Sequence, residues 1–225
     1  MPRSRRAWLA VAAGLVLALG ALALAGYLYE RNRTGSIYHP HARFVPQPTP
    51  TLPKAGPDRF SWPLYGYDKN HTRFFPAPAS VVPPFRTLWV HNSHALLEFP
   101  PVMYGDHIFQ LADNGILYAF DKHTGHIFWQ RSLGSLSAST PAVNAKTVFV
   151  TILSSGSSSS SGRVWALNYA TGQTRWVRNL SSPSESSPLL DGDHLYFGSQ
   201  GGLVYALDAR DGNLLWTYKA QGAVK

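Results

Sequence analysis

Leu117-Tyr-Ala-Phe-Asp-Lys-His-Thr-Gly-His-Ile-Phe-Trp129 decides how the rest of the chain is read, because it returns twice without gaps. The copies are Val164-Trp-Ala-Leu-Asn-Tyr-Ala-Thr-Gly-Gln-Thr-Arg-Trp176 and Val204-Tyr-Ala-Leu-Asp-Ala-Arg-Asp-Gly-Asn-Leu-Leu-Trp216. Each has an Ala (Ala119, Ala166, Ala206), an Asp or Asn two positions on (Asp121, Asn168, Asp208), a Gly four after that (Gly125, Gly172, Gly212) and a Trp four after the Gly (Trp129, Trp176, Trp216). Apolar and aromatic residues precede the acidic position in strand-like runs. The Asp or Asn side chain accepts from backbone N–H two residues on, and Gly reaches positive φ, so the middle of each copy reads as a tight hairpin turn.

Working outward, the Trp residues stand 47 and 40 apart, and Trp89 extends the series 40 residues backwards. Pro101, Pro141 and Pro188 keep the same step. The longer interval contains the Ser/Gly run from Ser154 to Gly162, which reads as a lengthened hairpin loop. In the middle unit the strands are expected over 140–143, 147–153, 163–167 and 173–177. Four short antiparallel strands in about 40 residues make a propeller blade, with the Trp as a wedge between neighbouring blades. The expected fold is therefore all-β: three four-stranded blades over residues 60–225, plus one extra strand, Phe85 to Val90, that ends in Trp89 without three strands of its own. Rings take four to eight blades, so the chain reads as the amino-terminal part of a longer propeller, or else as one member of an assembly of chains.

Ala-x-Asp-x-x-Thr-Gly-x-x-x-Trp resembles the docking motif of the pyrroloquinoline-quinone (PQQ) type propeller repeat, shared by quinoprotein dehydrogenases and outer-membrane assembly propellers. Trp62-Pro-Leu-Tyr-Gly-Tyr-Asp-Lys-Asn-His-Thr-Arg-Phe74 is similar to the segment that precedes the first blade in quinoprotein dehydrogenases. This chain departs at Asn168 (for Asp), Asp211 (for Thr), and His126, Gln173 and Asn213 (for Lys). A trace of WD40 is present in the period alone, since the Trp-Asp dipeptide does not occur. The resemblance implies either a binding or scaffold propeller, or a fragment of a PQQ-dependent oxidoreductase with calcium or a lanthanide in the central channel and a carboxylate base. No residue matches a catalytic, PQQ-binding or metal-ligand motif of that family, and without Cys the adjacent-cysteine disulfide of many members is impossible. A scaffold is the expectation, with another protein or a cell-envelope component as partner.

Charge supports this. Of the net +8, carried by 20 Lys/Arg against 12 Asp/Glu, +6 lies in residues 1–59, which argues against a nucleic-acid-binding domain. Residues 7–29 carry no charge and follow Arg3, Arg5 and Arg6, the pattern of a transmembrane signal anchor with residues 1–6 cytoplasmic. A cleaved signal peptide, cut after Ala23-Leu24-Ala25, is the alternative. The expected location is the cell membrane, single-pass, with the propeller extracytoplasmic on a Pro-rich linker over residues 30–59.

Two acids are singled out. Glu98 and Glu185 each lie three residues before a blade's Pro, with Ala138 in the third such place, so both fall in loops entering an innermost strand. There, at one mouth of the channel, a cation or basic peptide would be held; the plain alternative is two solvated loop acids. Asp191-Gly-Asp193 reads as a turn, lacking the other ligands of a calcium loop. His91/His94 and His123/His126 read as exposed turn residues, and His39/His41 as linker residues.

Overall fold

In the computed structural model, residues 3–33, 60–77, 81–154 and 161–225 are described, and the chain divides into two units, Met1–Pro50 and Thr51–Lys225. The Pro-rich linker over 30–59, apart from its first few residues in the helix, and most of the Ser/Gly loop lie outside the described residues.

The first unit contains helix α1 (Arg3–Arg33). Among the described residues no helix is long and apolar enough to cross a membrane. This finding overturns the transmembrane anchor over 7–29, and with it the single-pass placement on which the cytoplasmic amino end and the extracytoplasmic propeller rested.

The second unit is built of three antiparallel four-stranded meanders. The first comprises β1 (Val102–Tyr104), β2 (His107–Leu111), β3 (Ile116–Asp121) and β4 (Ile127–Ser132). The second comprises β5 (Ala142–Val143), β6 (Thr147–Ile152), β7 (Arg163–Asn168) and β8 (Thr174–Asn179), and the third β9 (Leu189–Asp191), β10 (His194–Gly198), β11 (Leu203–Asp208) and β12 (Leu214–Lys219). Strands follow each other in chain order within every sheet, as in propeller blades.

The repeated motif forms the last hairpin of each blade. Ala119 pairs with Trp129, Ala166 with Trp176 and Ala206 with Trp216, and the register shifts by a bulge directly after each Ala. In the turn, Asp121 Oδ1 accepts from the N–H of His123 (2.9 Å) and Thr124 (2.7 Å), and Asn168 Oδ1 from Ala170 (2.9 Å) and Thr171 (3.1 Å). Only an acceptor oxygen is needed, which is why Asn replaces Asp at no cost to the turn. Asp211 is equally well explained. Its carboxylate takes the N–H of Asn213 (2.9 Å), as the hydroxyls of Thr124 and Thr171 take those of His126 and Gln173 (3.3 Å each).

The core lies between the sheets. Phe109, Leu117 and Ala119 of the first blade bury against Val148, Val150 and Leu167 of the second, and Phe149, Val164 and Ala166 against Leu195, Phe197 and Leu207 of the third. β6, covered on both faces, is buried throughout, whereas every residue of β12 is exposed.

One expected strand is missing. Phe85 to Val90 forms no strand, and Trp89 alone is drawn in, half-buried beside Phe120. A strand needs a neighbour to complete its backbone hydrogen bonds, and none of the described residues supplies one. Each of the four strands expected for the middle blade is present, but the first is limited to Ala142–Val143 and the last is shifted to Thr174–Asn179.

Candidate functional site

Blade docking accounts for the repeated residues. The indole N–H of Trp89 donates to the carbonyl of Lys122 (3.0 Å), that of Trp129 to Tyr169 (3.1 Å) and that of Trp176 to Ala209 (3.1 Å). The same three rings press on Gly125, Gly172 and Gly212, whose φ values are 71°, 67° and 77°. Each Trp therefore docks on the turn of the following blade. Trp216 meets no such turn among the described residues and is 47% exposed. The sequence reading missed a second contact: Arg131 and Arg178, each two residues past the Trp, donate to the carbonyls of Gly172 (2.9 Å) and Gly212 (3.2 Å). The recurring Trp-x-Arg was the available signal. Asp208 has a further partner in Arg210, whose guanidinium hydrogen bond brings its carboxyl down to about 2.

The innermost strands are joined by hydroxyl groups. Thr140, just before Pro141, donates its hydroxyl to the carbonyl of Pro100 (3.2 Å) and its N–H to Ser187 Oγ (2.9 Å), while Thr151 donates to the carbonyl of Ser186 (2.7 Å). Across this end runs the segment 60–77. Trp62 exchanges backbone hydrogen bonds with Met103 of β1 (2.7 and 2.9 Å), the carbonyl of Pro63 accepts from Val143 of β5 (2.9 Å), and Lys69 pairs with Asp191 of β9 (3.0 Å). One short stretch thus touches all three blades.

Beside this clasp lies a cavity of about 520 Å³, with Tyr65, His71, Phe99, Glu185, Tyr196 and Lys225 in its wall. Buried Ser184 anchors the loop by donating to the carbonyl of Gly198 (2.7 Å). Glu185 then accepts from Gln200 Nε2 (2.6 Å) and pairs with Lys225 Nζ (2.7 Å). The Lys225 hydrogen bond, with help from Gln200, holds the carboxyl below the usual carboxylate range. A carboxylate so stabilised is suited to holding a cation, less so to taking up a proton. Glu98 is exposed, outside the lining of this cavity, and has no polar partner among the described residues.

The histidines divide. His123, His126 and His94 are exposed, but His91 is half-buried against Tyr118 and Phe120 (ring centroids 5.2 and 4.9 Å), which corrects its reading as an exposed turn residue. His107, not singled out in the sequence, stacks on Phe128 (4.3 Å) and lies 2.9 Å from the hydroxyl of Tyr169. That hydroxyl donates to the carbonyl of Tyr104 (2.7 Å), so His107 Nδ1–H is the donor to it. Asp191-Gly192-Asp193 is a turn, with Gly192 at φ 59° and both acids paired to cations, Lys69 and Arg210.

Three meanders docked in series, one Trp on one Gly per junction, define a repeat propeller of the PQQ type. The family model described as "Outer membrane protein assembly factor BamB" matches residues 86–224, and the chain belongs to that family of PQQ-like repeat propellers. Among solved structures, BamB from Moraxella catarrhalis is 24% identical with a TM-score of 0.50, over 59% of this chain and 39% of its own. A europium-containing methanol dehydrogenase is 21% identical (TM-score 0.59; 71% of this chain, 32% of its own). The quinohemoprotein alcohol dehydrogenase from Comamonas testosteroni is 20% identical (TM-score 0.57; 71% and 27%). These likenesses establish the fold, and the chain spans about a quarter to two-fifths of those proteins. No curated protein sequence matches.

The quinoprotein likeness raises the question whether these residues fit PQQ and its metal. Among the described residues no three His, Cys, Asp or Glu side chains group to hold a metal ion, and Glu185 is committed to Lys225 and Gln200. The described residues do not fit that group, and no chemical step is assigned to it.

Proposed function

We propose that the chain is a protein-binding scaffold module that takes a basic segment of its partner at the inner end of its blades. The observation that supports this reading is the Glu185–Lys225 pair: an ammonium group sits 2.7 Å from a carboxylate fixed in an aromatic-walled cavity. A partner's Lys or Arg would take the place of Lys225, with Tyr65, Phe99 and Tyr196 receiving the apolar stem of the side chain. Glu98, in the equivalent loop of the first blade, adds negative charge to the same end. The family description, an assembly factor for outer membrane proteins, accords with a protein partner.

The test places a photoreactive phenylalanine at Tyr196 in cells. A discrete protein adduct, lost in the Glu185→Lys background and weakened by salt, supports the reading. An adduct indifferent to that substitution, or none at all, overturns it.

A further inference from the structure

A second cavity, of about 420 Å³, lies on the other side of Tyr65, and its wall is almost wholly apolar: Phe60, Trp62, Met103 and Ile108, with Pro100 and Pro101. One charged residue lines it, Arg73. No carboxylate among the described residues pairs with that guanidinium, which reaches only the Tyr65 hydroxyl at 3.4 Å and lies 5.6 Å from the Tyr65 ring centroid.

The loop that carries Arg73 is built with care for its shape. Gly66, Tyr67, His71 and Arg73 all have positive φ (74°, 83°, 51° and 54°), a conformation that side-chain-bearing residues adopt only when their surroundings impose it. Here the Asp68 carboxylate imposes it by accepting from Asn70 N–H (3.1 Å), Thr72 N–H (3.0 Å) and the Thr72 hydroxyl (2.9 Å). Arg73 N–H closes the loop on the carbonyl of Gly66 (2.9 Å). The strain is held at the residue that brings a free cation to the apolar cavity.

We propose that this cavity binds an amphiphilic monocarboxylate, its hydrocarbon among Trp62, Met103 and Ile108 and its carboxylate on Arg73. Charge complementarity selects the anion, since a guanidinium and a carboxylate match in two parallel hydrogen bonds. A peptide ending in an apolar residue carries the same carboxylate but also amide groups, and the wall has few partners for them. Trp62 and Met103 spend backbone N–H and C=O on each other, and Pro100 and Pro101 have no N–H. A ligand with one polar end fits the lining, and a peptide does not.

Titration calorimetry on the chain, below the micelle concentration, compares decanoate, decanol and the tripeptide Gly-Gly-Phe. Decanoate is expected to saturate one site and to bind about 10-fold or more tightly than decanol, the share of a charge-assisted hydrogen bond. Arg73→Gln brings decanoate to the level of decanol while the melting temperature stays unchanged, and Ile108→Phe, which fills the cavity, weakens both. Absence of saturable decanoate binding, equal affinity for decanol, indifference to both substitutions, or tighter binding of the tripeptide would overturn the proposal. These readouts do not depend on the Glu185 cavity, so failure here and failure of the scaffold reading are told apart.

Discussion

The indole ring of Trp129 lies against Gly172 of the next blade so closely that a Cβ there would stand 2.6 Å from its Cε3 atom. That contact joins two requirements in one residue: positive φ for the hairpin, and no side chain where the neighbouring blade docks. Gly125 under Trp89 and Gly212 under Trp176 repeat it, at 2.6 and 2.7 Å.

Gly172→Ala is therefore expected to destabilise the domain by about 2–5 kcal/mol, the left-handed backbone penalty plus overpacking. Gly192→Ala supplies the comparison, since Gly192 shares the positive φ (59°) but has nothing within 4 Å of a Cβ. It should cost only about 1–2 kcal/mol. Urea denaturation of the two variants measures the difference, and equal losses would mean that docking adds nothing.

Truncating the docking tryptophans separates the filled junctions from the open one. Trp129→Ala and Trp176→Ala should each cost about 3–5 kcal/mol. Trp216→Ala should cost less, about 2 kcal/mol, because near half of the residue is already exposed (47%) and only the remaining burial, on Tyr196 among others, is lost. Thermal melts of the three variants, followed by far-UV circular dichroism, check the order.

His107 predicts a pH dependence. Burial among Phe128, Tyr169 and Phe109 outweighs the opposing pull of Asp106 and Asp121, and lowers its pKa from 6.5 in the folded protein. The unfolded chain then takes up the proton first, so this contribution is whole above pH 6.5 and is lost as pH falls through the lowered folded value. The melting temperature should decline between pH 7.5 and 5.5, and His107→Phe, which keeps the ring packing, should flatten that decline. An identical slope in the variant would exclude His107 as its source.

Turn chemistry was legible because it is local. Asp121 and Gly125 lie within one hairpin, so the same residues recur wherever the hairpin does, and Asn168 and Asp211 replace their counterparts without changing the hydrogen bond made. The anchor over 7–29 was read from the absence of charge alone, and among the described residues no helix is long and apolar enough to cross a membrane. Phe85 to Val90 had strand composition, yet a strand exists only where another backbone pairs with it.

Sequence by itself determined the repeat, the hairpin of each blade and the three-blade count, since each rests on hydrogen bonds between residues a few positions apart. Tertiary structure alone decided which turn each Trp meets, 33 to 40 residues along the chain, and that Trp216 meets none among the described residues. It alone joined Glu185 to Lys225 and aimed Arg73 at an apolar cavity. Those pairings occur once each, between groups far apart in sequence, and only the packing of complete blades brings such groups within hydrogen-bonding or van der Waals range.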